Sequence, residues 1–465
     1  MSTISYIHSH VVDNPELLIQ EYRAKKSGAF ILSVQFRLDQ YWLAGSPNKL
    51  LTALYLNVDG AIHIAISEDS ILLPDESAFE SSVALFEEIL YQNQLPVFLL
   101  EDPLSLEEII IDKPWGREIW HTGIESRGTS MVRGRQSTKR GADYFGRIPL
   151  PWILAAAPCG LTGGLTHNLI LLKILDPLAD PNLGDLYFEL HQEKQEVYVV
   201  THINDMAWPE GKGAIRMGFS QSKLKEYDTE TEFRESFLTA VMEYQKVRNV
   251  IDDLVDKQRA EQGYSVSESL APDVAKQFLS KVPRELRECE SESRKNMYSF
   301  TDLIPLSVGD VVKIPTFIPH ALQHGVRAVE FQTPVYERMI LSFGQKVLTQ
   351  SHWDTERAIE LMQLELGGVE SFETERSNEG VCIDKVVDFE DFFVLRIVCE
   401  QGASFKFATP KHYALLIVIQ GFLKIDDFVL ESEQSCLIPS QFKTMEYINM
   451  SSDPVVFLQA MPTQT

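Results

Sequence analysis

The sequence predicts a mainly β protein: two β-sandwich or barrel regions, a helical insertion inside the first, and an α/β segment at the N-terminus. Three observations predict it. Short runs rich in branched and aromatic residues, divided by Gly, Pro, Asp and Asn, fill the stretch from Lys113 to Phe219 and resume at Leu303. A second set of such runs extends from Cys382 to Met461. Between Ser222 and Lys295 this texture gives way to apolar residues at three- and four-residue spacing. At 465 residues the chain is too long for one compact core, so several domains are expected.

Residues 1–105 form an expected accessory α/β domain. Pro15 to Lys25 reads as a helix, Phe30 to Phe36 alternates like a strand, and Ser81 to Asn93 has helical apolar spacing after a Ser start. Residues 106–221 and 300–350 make the first β domain, with strands expected at Asn168–Leu175, Leu186–Leu190, Val197–Thr201 and Ala214–Phe219. The insertion spans 222–299. Its first helix carries Phe237, Val241, Tyr244, Val247, Ile251 and Val255 along one stripe; a second is expected over Ala271–Ser280, and Pro283 is placed to open a third. Residues 351–380 are a connector, helical over His352–Leu364, and 381–465 are a terminal β domain. The two β regions are candidates for divergent copies of one fold.

A formal charge of −25 argues against a nucleic-acid partner, because phosphate backbones are bound by concentrated Lys and Arg. The one basic run, Arg133 to Arg147, is broken by Gly141 and Asp143 and reads as a solvated loop, with a small anion as the alternative. No stretch supplies the eighteen uncharged apolar residues of a membrane helix, and the N-terminal residues do not read as a secretory signal; the cytoplasm is the expected location. Cys159, Cys289, Cys382, Cys399 and Cys436 are scattered and odd in number, which suits small buried hydrophobes kept reduced.

The chemistry concentrates in two stretches. In the first, Glu189 and His191 are two apart, so on a strand they point to the same face, and Glu196 opens the next strand after a polar turn. In the second, Gly309-Asp310 starts a strand, Pro315 ends it, and His320 begins the next. Imidazole and carboxylate donors in an apolar barrel suit one divalent ion, Zn²⁺ first, with Fe²⁺, Mn²⁺ and Ni²⁺ also compatible. His202 reads as a satisfied or surface histidine and His324 as a group supporting the ligands.

These stretches resemble the paired motifs of the cupin superfamily. The first motif is His-x-His, three or four residues, then Glu; here it reads Glu189-x-His191, four residues, Glu196. The second is Gly, five residues, Pro, and His five positions on, matched by Gly309, Pro315 and His320. The resemblance implies double-stranded β-helix, or jelly-roll, barrels.

The wider context is similar to type I mannose-6-phosphate isomerases. Lys113-Pro114-Trp115-Gly116 is similar to that family's Trp-Gly strand, and Leu171-Leu172-Lys173-Ile174-Leu175-Asp176 to its Leu-Leu-Lys-Leu-Leu-Asp segment. Glu189-x-His191 stands where the family has Gln-x-His, and Lys194-Gln195-Glu196 where it has Lys-x-Glu. Gly218-Phe219, Pro315 to Leu322, Gly325 and Glu330-Phe331-Gln332 continue the match, which runs from residue 113 to about 460 and leaves out the first hundred. The resemblance implies that Glu189, His191, Glu196 and His320 hold zinc. It also implies that Glu330 is a base, that Lys194 stabilises charge and that Arg338 contacts phosphate or enediolate. The implied activity is aldose–ketose isomerisation of a sugar phosphate, mannose 6-phosphate to fructose 6-phosphate by default.

Three departures qualify it. Glutamate at 189 adds a negative charge that strengthens cation binding and opposes a phosphosugar. Only four residues separate His191 from Glu196, where the family has a long loop, so a more open site is expected. The interval from Glu330 to Arg338 is two residues short. The alternatives are a non-catalytic sugar-binding protein that kept the metal, and a metal-dependent enzyme of another class.

Overall fold

The computed structural model describes residues 5–141, 144–165, 169–365, 373–378, 380–408, 410–426, 428–442 and 445–463. The chain divides into two compact units. One comprises 1–109, 120–172 and 372–465; the other comprises 110–119 and 173–371.

In the second unit, among the described residues, two sheets share the strands. The first sheet runs, in spatial order, Val311–Ile314, Glu196–Ile203, Val326–Gln332, Leu171–Pro177, Gly116–Trp120 and Ile109–Lys113. The second runs Thr301–Leu306, Gly213–Phe219, His320–Leu322, Phe188–Leu190 and Met339–Ser342. From Leu171 to Gln332 the chain crosses from sheet to sheet at every strand but one, the jelly-roll route of a double-stranded β-helix. The exception is the antiparallel pair Gly213–Phe219 and Thr301–Leu306, which stays in one sheet. The helices are inserted there, where a hairpin connection tolerates length.

The long helix Glu230–Glu261 starts at a capping box: the Thr229 hydroxyl accepts the Glu232 N–H while the Glu232 carboxylate accepts the Thr229 N–H. The stripe expected from its spacing is the buried face. Phe233, Phe237, Val241 and Tyr244 pack on Phe219, Phe300, Met297 and Leu341, each large side chain contributing about 1.5–3 kcal/mol by burial. Helices Pro272–Ser280 and Arg284–Tyr298 follow, the second starting directly after Pro283.

The first unit holds a five-stranded sheet formed in chain order by Tyr6–Val12, Phe30–Asp39, Asn48–Val58, Ala61–Ser67 and Phe98–Leu99. Helices Pro15–Lys25 and Ser82–Asn93 accompany it, capped by the Asn14 and Ser81 side chains. Its C-terminal part follows the same eight-strand route as the second unit. Ser435–Ile438, Ala414–Gln420, Val455–Pro462 and Phe392–Cys399 lie side by side in one sheet, and Phe428–Glu431, Phe422–Ile425, Met445–Asn449 and Ser404–Phe407 in the other.

Several expectations change. Residues 120–172, assigned from sequence to the metal-bearing domain, group with the N- and C-terminal segments. The reasons are specific: Leu104–Glu107 pairs with Ser435–Ile438 and with Met131–Arg135, the Tyr55 hydroxyl donates to the Ala156 carbonyl at 2.7 Å, and the buried Glu16 carboxylate accepts the N–H groups of Cys159 and Gly160 at 2.6 Å each. The basic run is a β-hairpin rather than a loop, with Met131–Arg135 paired to Phe145–Pro149; residues 142–143 lie outside the described set. The connector helix is confined to Thr355–Leu361. Cys399 and Cys436 are buried as expected, but Cys159 and Cys289 are exposed.

Candidate metal centre

Three strand ends meet inside the jelly roll of the second unit. His191 is the first residue beyond Phe188–Leu190, Glu196 the first of Glu196–Ile203, and His320 the first of His320–Leu322. Register fixes their company. Glu189 pairs with His320, Glu196 with Gln332 and Ile314, and Tyr198 with Glu330. Paired residues of antiparallel strands share a face, so Glu196, Tyr198, Glu330 and Gln332 all turn to the lumen.

The result is a cluster in which one donor atom each from His191, Glu196 and His320 lies within 4.8 Å of the others. Glu196 Oε2 is 3.4 Å from His191 Nε2 and 3.3 Å from His320 Nε2. Among the described residues neither of those ring nitrogens makes a hydrogen bond. Such buried orphans are rare in folded proteins, and two imidazoles converging on a carboxylate fit a divalent cation, which would supply the missing partner. His320 Nδ1 lies 3.1 Å from the Ile318 carbonyl, a contact that orients the ring so that Nε2 faces the cluster. Phe317 holds the approach to His320 from a left-handed backbone (φ 63°), and its N–H donates to the His191 carbonyl at 2.7 Å. Backbone strain of this kind is found at sites whose surroundings over-determine them.

Glu189 stands beside the cluster rather than within it. Its Oε1 is 3.9 Å from His191 Nε2, and its Oε2 is buried without a hydrogen bond. Its charge also acts on Arg338: burial lowers that guanidinium's pKa, but Glu189 and its neighbours outweigh burial and leave it raised. Arg338 lies 4.8 Å over the Tyr187 ring and donates to the Thr349 hydroxyl.

The electrostatics of the lumen follow from burial and neighbours. Lys194 Nζ is 2.5 Å from Glu196 Oε1, and the Tyr198 hydroxyl donates to Glu196 Oε2 at 3.0 Å. Burial raises the Glu196 pKa, but Lys194 and His191 outweigh it and hold the carboxyl well below its usual range. Glu330 is the converse: burial, with the Glu196 charge added, pushes it well above that range despite Lys173. Burial and the Lys194 charge lower His191.

The structure also brings in residues to which the sequence reading assigned no role. Lys173 Nζ is 3.2 Å from Glu330 Oε2 and 3.7 Å from Glu118 Oε1, and Lys113 is 2.9 Å from Glu118 Oε2. A lone lysine in the apolar run Leu171–Asp176 was the available signal, since buried lysines are rarely without a partner. Glu337 carries no such signal. Its carboxylate accepts the N–H groups of Gln192, Glu193 and Lys194 at 2.7, 2.8 and 3.2 Å, clamping the turn that joins His191 to Glu196. These hydrogen bonds overcome the upward pull of burial and lower the Glu337 pKa.

Two expectations are corrected. The short turn does not open the site: His191, Glu196, His320 and Glu330 are only 1–2% exposed. His324 makes its contacts away from the ligands, with Nδ1 2.7 Å from Asp185 and its ring stacked on Trp208. His202 is exposed, as expected.

No protein-family model matches the sequence, and no curated protein matches it. Among solved structures, the chain is similar to the mannose 6-phosphate isomerase from Bacillus subtilis, with 15% identity, 77% of this chain and 99% of that one covered, and a TM-score of 0.49. A point variant of the phosphomannose isomerase from Salmonella typhimurium and a zinc-bound mannose 6-phosphate isomerase each share 11% identity, with 78% of this chain and 100% of theirs covered and a TM-score of 0.48.

Proposed function

We propose that this barrel is the active site of a divalent-metal-dependent aldose–ketose isomerase of sugar phosphates, with mannose 6-phosphate and fructose 6-phosphate as the pair to test first. The observation that carries the reading is the buried His191–Glu196–His320 cluster, with two unpartnered ring nitrogens, set beside Lys173–Glu330. The ordered sequence motifs from Trp115 to Glu330 support the same reading.

His191, Glu196 and His320 would hold the ion, with Glu189 within reach as a fourth donor. When bound, the metal supplies polarisation of the sugar's oxygens. The chain's own residues do the rest. Glu330 is the base: as carboxylate it takes the proton from C2 and returns it to C1 while the O2 hydroxyl proton passes to O1, and burial, which raises its pKa, makes it a stronger base than an exposed carboxylate. Lys173 stabilises charge on Glu330 and on the enediolate, and Lys194 keeps Glu196 ionised. Tyr198 fixes the Glu196 rotamer through its hydroxyl. Arg338 meets the phosphate.

Charge balance removes the objection that Glu189 repels an anionic substrate. Lys113, Lys173, Lys194 and Arg338 are four cations beside the four glutamates 118, 189, 196 and 330, so the group carries no net negative charge even with every glutamate ionised. A divalent ion would add two further positive charges.

The depth of burial favours one second reading, a protein that binds a sugar or metabolite through the metal without turnover. Elemental analysis of purified protein, with a coupled hexose-phosphate assay on the metal-loaded form, separates the two. We expect about one zinc per chain, measurable interconversion, and loss of both in His320→Ala. Saturable sugar binding without turnover establishes the second reading. Full metal content in His320→Ala removes the site itself, and tightly held iron points to a different class of chemistry.

A further inference from the structure

Away from the metal cluster, the helical insertion and two loops of the barrel border an open cavity of about 350 Å³. Arg248 from the long helix, Lys276 from Pro272–Ser280, and Arg287, Glu290 and Arg294 from Arg284–Tyr298 line it, with Asp180 from the loop after Leu171–Pro177. Four cations thus face two carboxylates in a chain whose net charge is −25.

Some of this charge is internally matched. Glu290 lies 3.9 Å from Arg248 and 3.5 Å from Arg294 and accepts the Tyr244 hydroxyl at 3.0 Å. Lys276 is 3.2 Å from Asp180, and Arg248 is paired with Asp252. The matching is incomplete. Arg248 is 96% buried, and its Nε has no hydrogen-bond partner among the described residues. The Arg287 side chain makes no ion pair or hydrogen bond among them. An ion-pair network that served only to hold the helices would close on itself; this one leaves the Arg287 guanidinium unmatched beside a cavity of the size that small molecules occupy, about 300–1,000 Å³.

We propose that this cavity is a second binding site, for a small anion bearing a phosphoryl group, independent of the barrel site and of the reaction assigned to it. Guanidinium forks match phosphoryl oxygens two at a time. Arg287 supplies the directional contacts, Arg294 holds one wall through Asn182 at 3.1 Å, and Lys276 adds charge without directional demand. No residue lining the cavity is among the metal-cluster residues.

The test is calorimetric titration of the intact, metal-loaded protein with pyrophosphate at fixed ionic strength, with chloride as control. We expect one saturable site in the wild type, weakened about tenfold or more by Arg287→Ala. Arg287 is exposed and unpaired, so its loss leaves the fold intact. Lys276→Ala should weaken binding less, and His320→Ala should leave it unchanged. No saturable binding, or binding that Arg287→Ala leaves intact, overturns the proposal. Binding abolished by His320→Ala assigns the anion to the barrel and overturns it equally.

Discussion

The strands from Leu171 to Gln332 and those from Phe392 to Pro462 take the same route through two sheets, but they fill the lumen with different materials. In the first, Glu196 opens its strand opposite Ile314 and carries a carboxylate to two histidines. In the second, Ala414 opens the matching strand opposite Ile438 and carries only a methyl group. Where the first barrel sets His191 and His320 ring to ring at 5.1 Å, the second stacks Phe405 on Tyr447 at 5.1 Å and Tyr447 on Phe457 at 5.3 Å. Leu416, Val418, Leu423 and Ile425 complete that dry interior. The route of the chain is therefore indifferent to what it encloses. The apolar barrel is held by burial, whereas the polar one offsets the desolvation of its ions through close pairing.

The sharpest way to break this comparison is to empty the dry barrel. Phe457→Ala should destabilise the protein by about 3–5 kcal/mol, measured by denaturant unfolding, with metal content unaltered; a loss below 1 kcal/mol would deny that this lumen is a packed core. Next in size is the clamp on the wet barrel. Glu337→Ala frees three N–H groups in the turn between ligands and should weaken metal binding about 10–100-fold, read by competition with a chelator, while unfolding of the apo-protein changes little. Unchanged affinity would mean that the turn is rigid without its clamp. The smallest effect is expected for Tyr447→Phe, which removes a 2.6 Å hydrogen bond to Gln459 Oε1 inside the dry barrel. The cost should be about 1–3 kcal/mol for one unsatisfied buried acceptor, and a neutral result would place water beside Gln459.

Much of the architecture was legible because it is local. The Phe237–Val255 stripe, the helix over Pro15–Lys25, the Ser81 start and the strand starting at Glu196 depend on spacing and neighbouring residues, and they stand where the sequence pattern put them. The cluster was legible for a related reason: His191 and Glu196 share one turn, and His320 follows a Gly-Pro frame. Glu118 and Glu337 were not, since Glu118 meets Lys173 and Glu337 clamps Gln192, Glu193 and Lys194 only between segments far apart in the chain. The grouping of 120–172 with the terminal segments was hidden likewise, because it rests on ladders and side-chain caps between segments far apart in the chain. Glu189 was read as a ligand; the fold sets it 3.9 Å from His191 Nε2, where it also influences Arg338.

The strand Leu104–Glu107 has a consequence for how the molecule comes to exist. Its Leu104 pairs with Leu437, which is 437 − 104 = 333 positions later. At a synthesis rate of about 5–20 residues per second, that partner emerges roughly 15–70 s after the strand itself. Throughout that interval one edge of Leu104–Glu107 has no mate, and contacts of such long sequence separation form slowly once both ends are present. Completion of that sheet is thus tied to a segment made long after its partner, and an early strand edge must be kept from pairing with other chains until then.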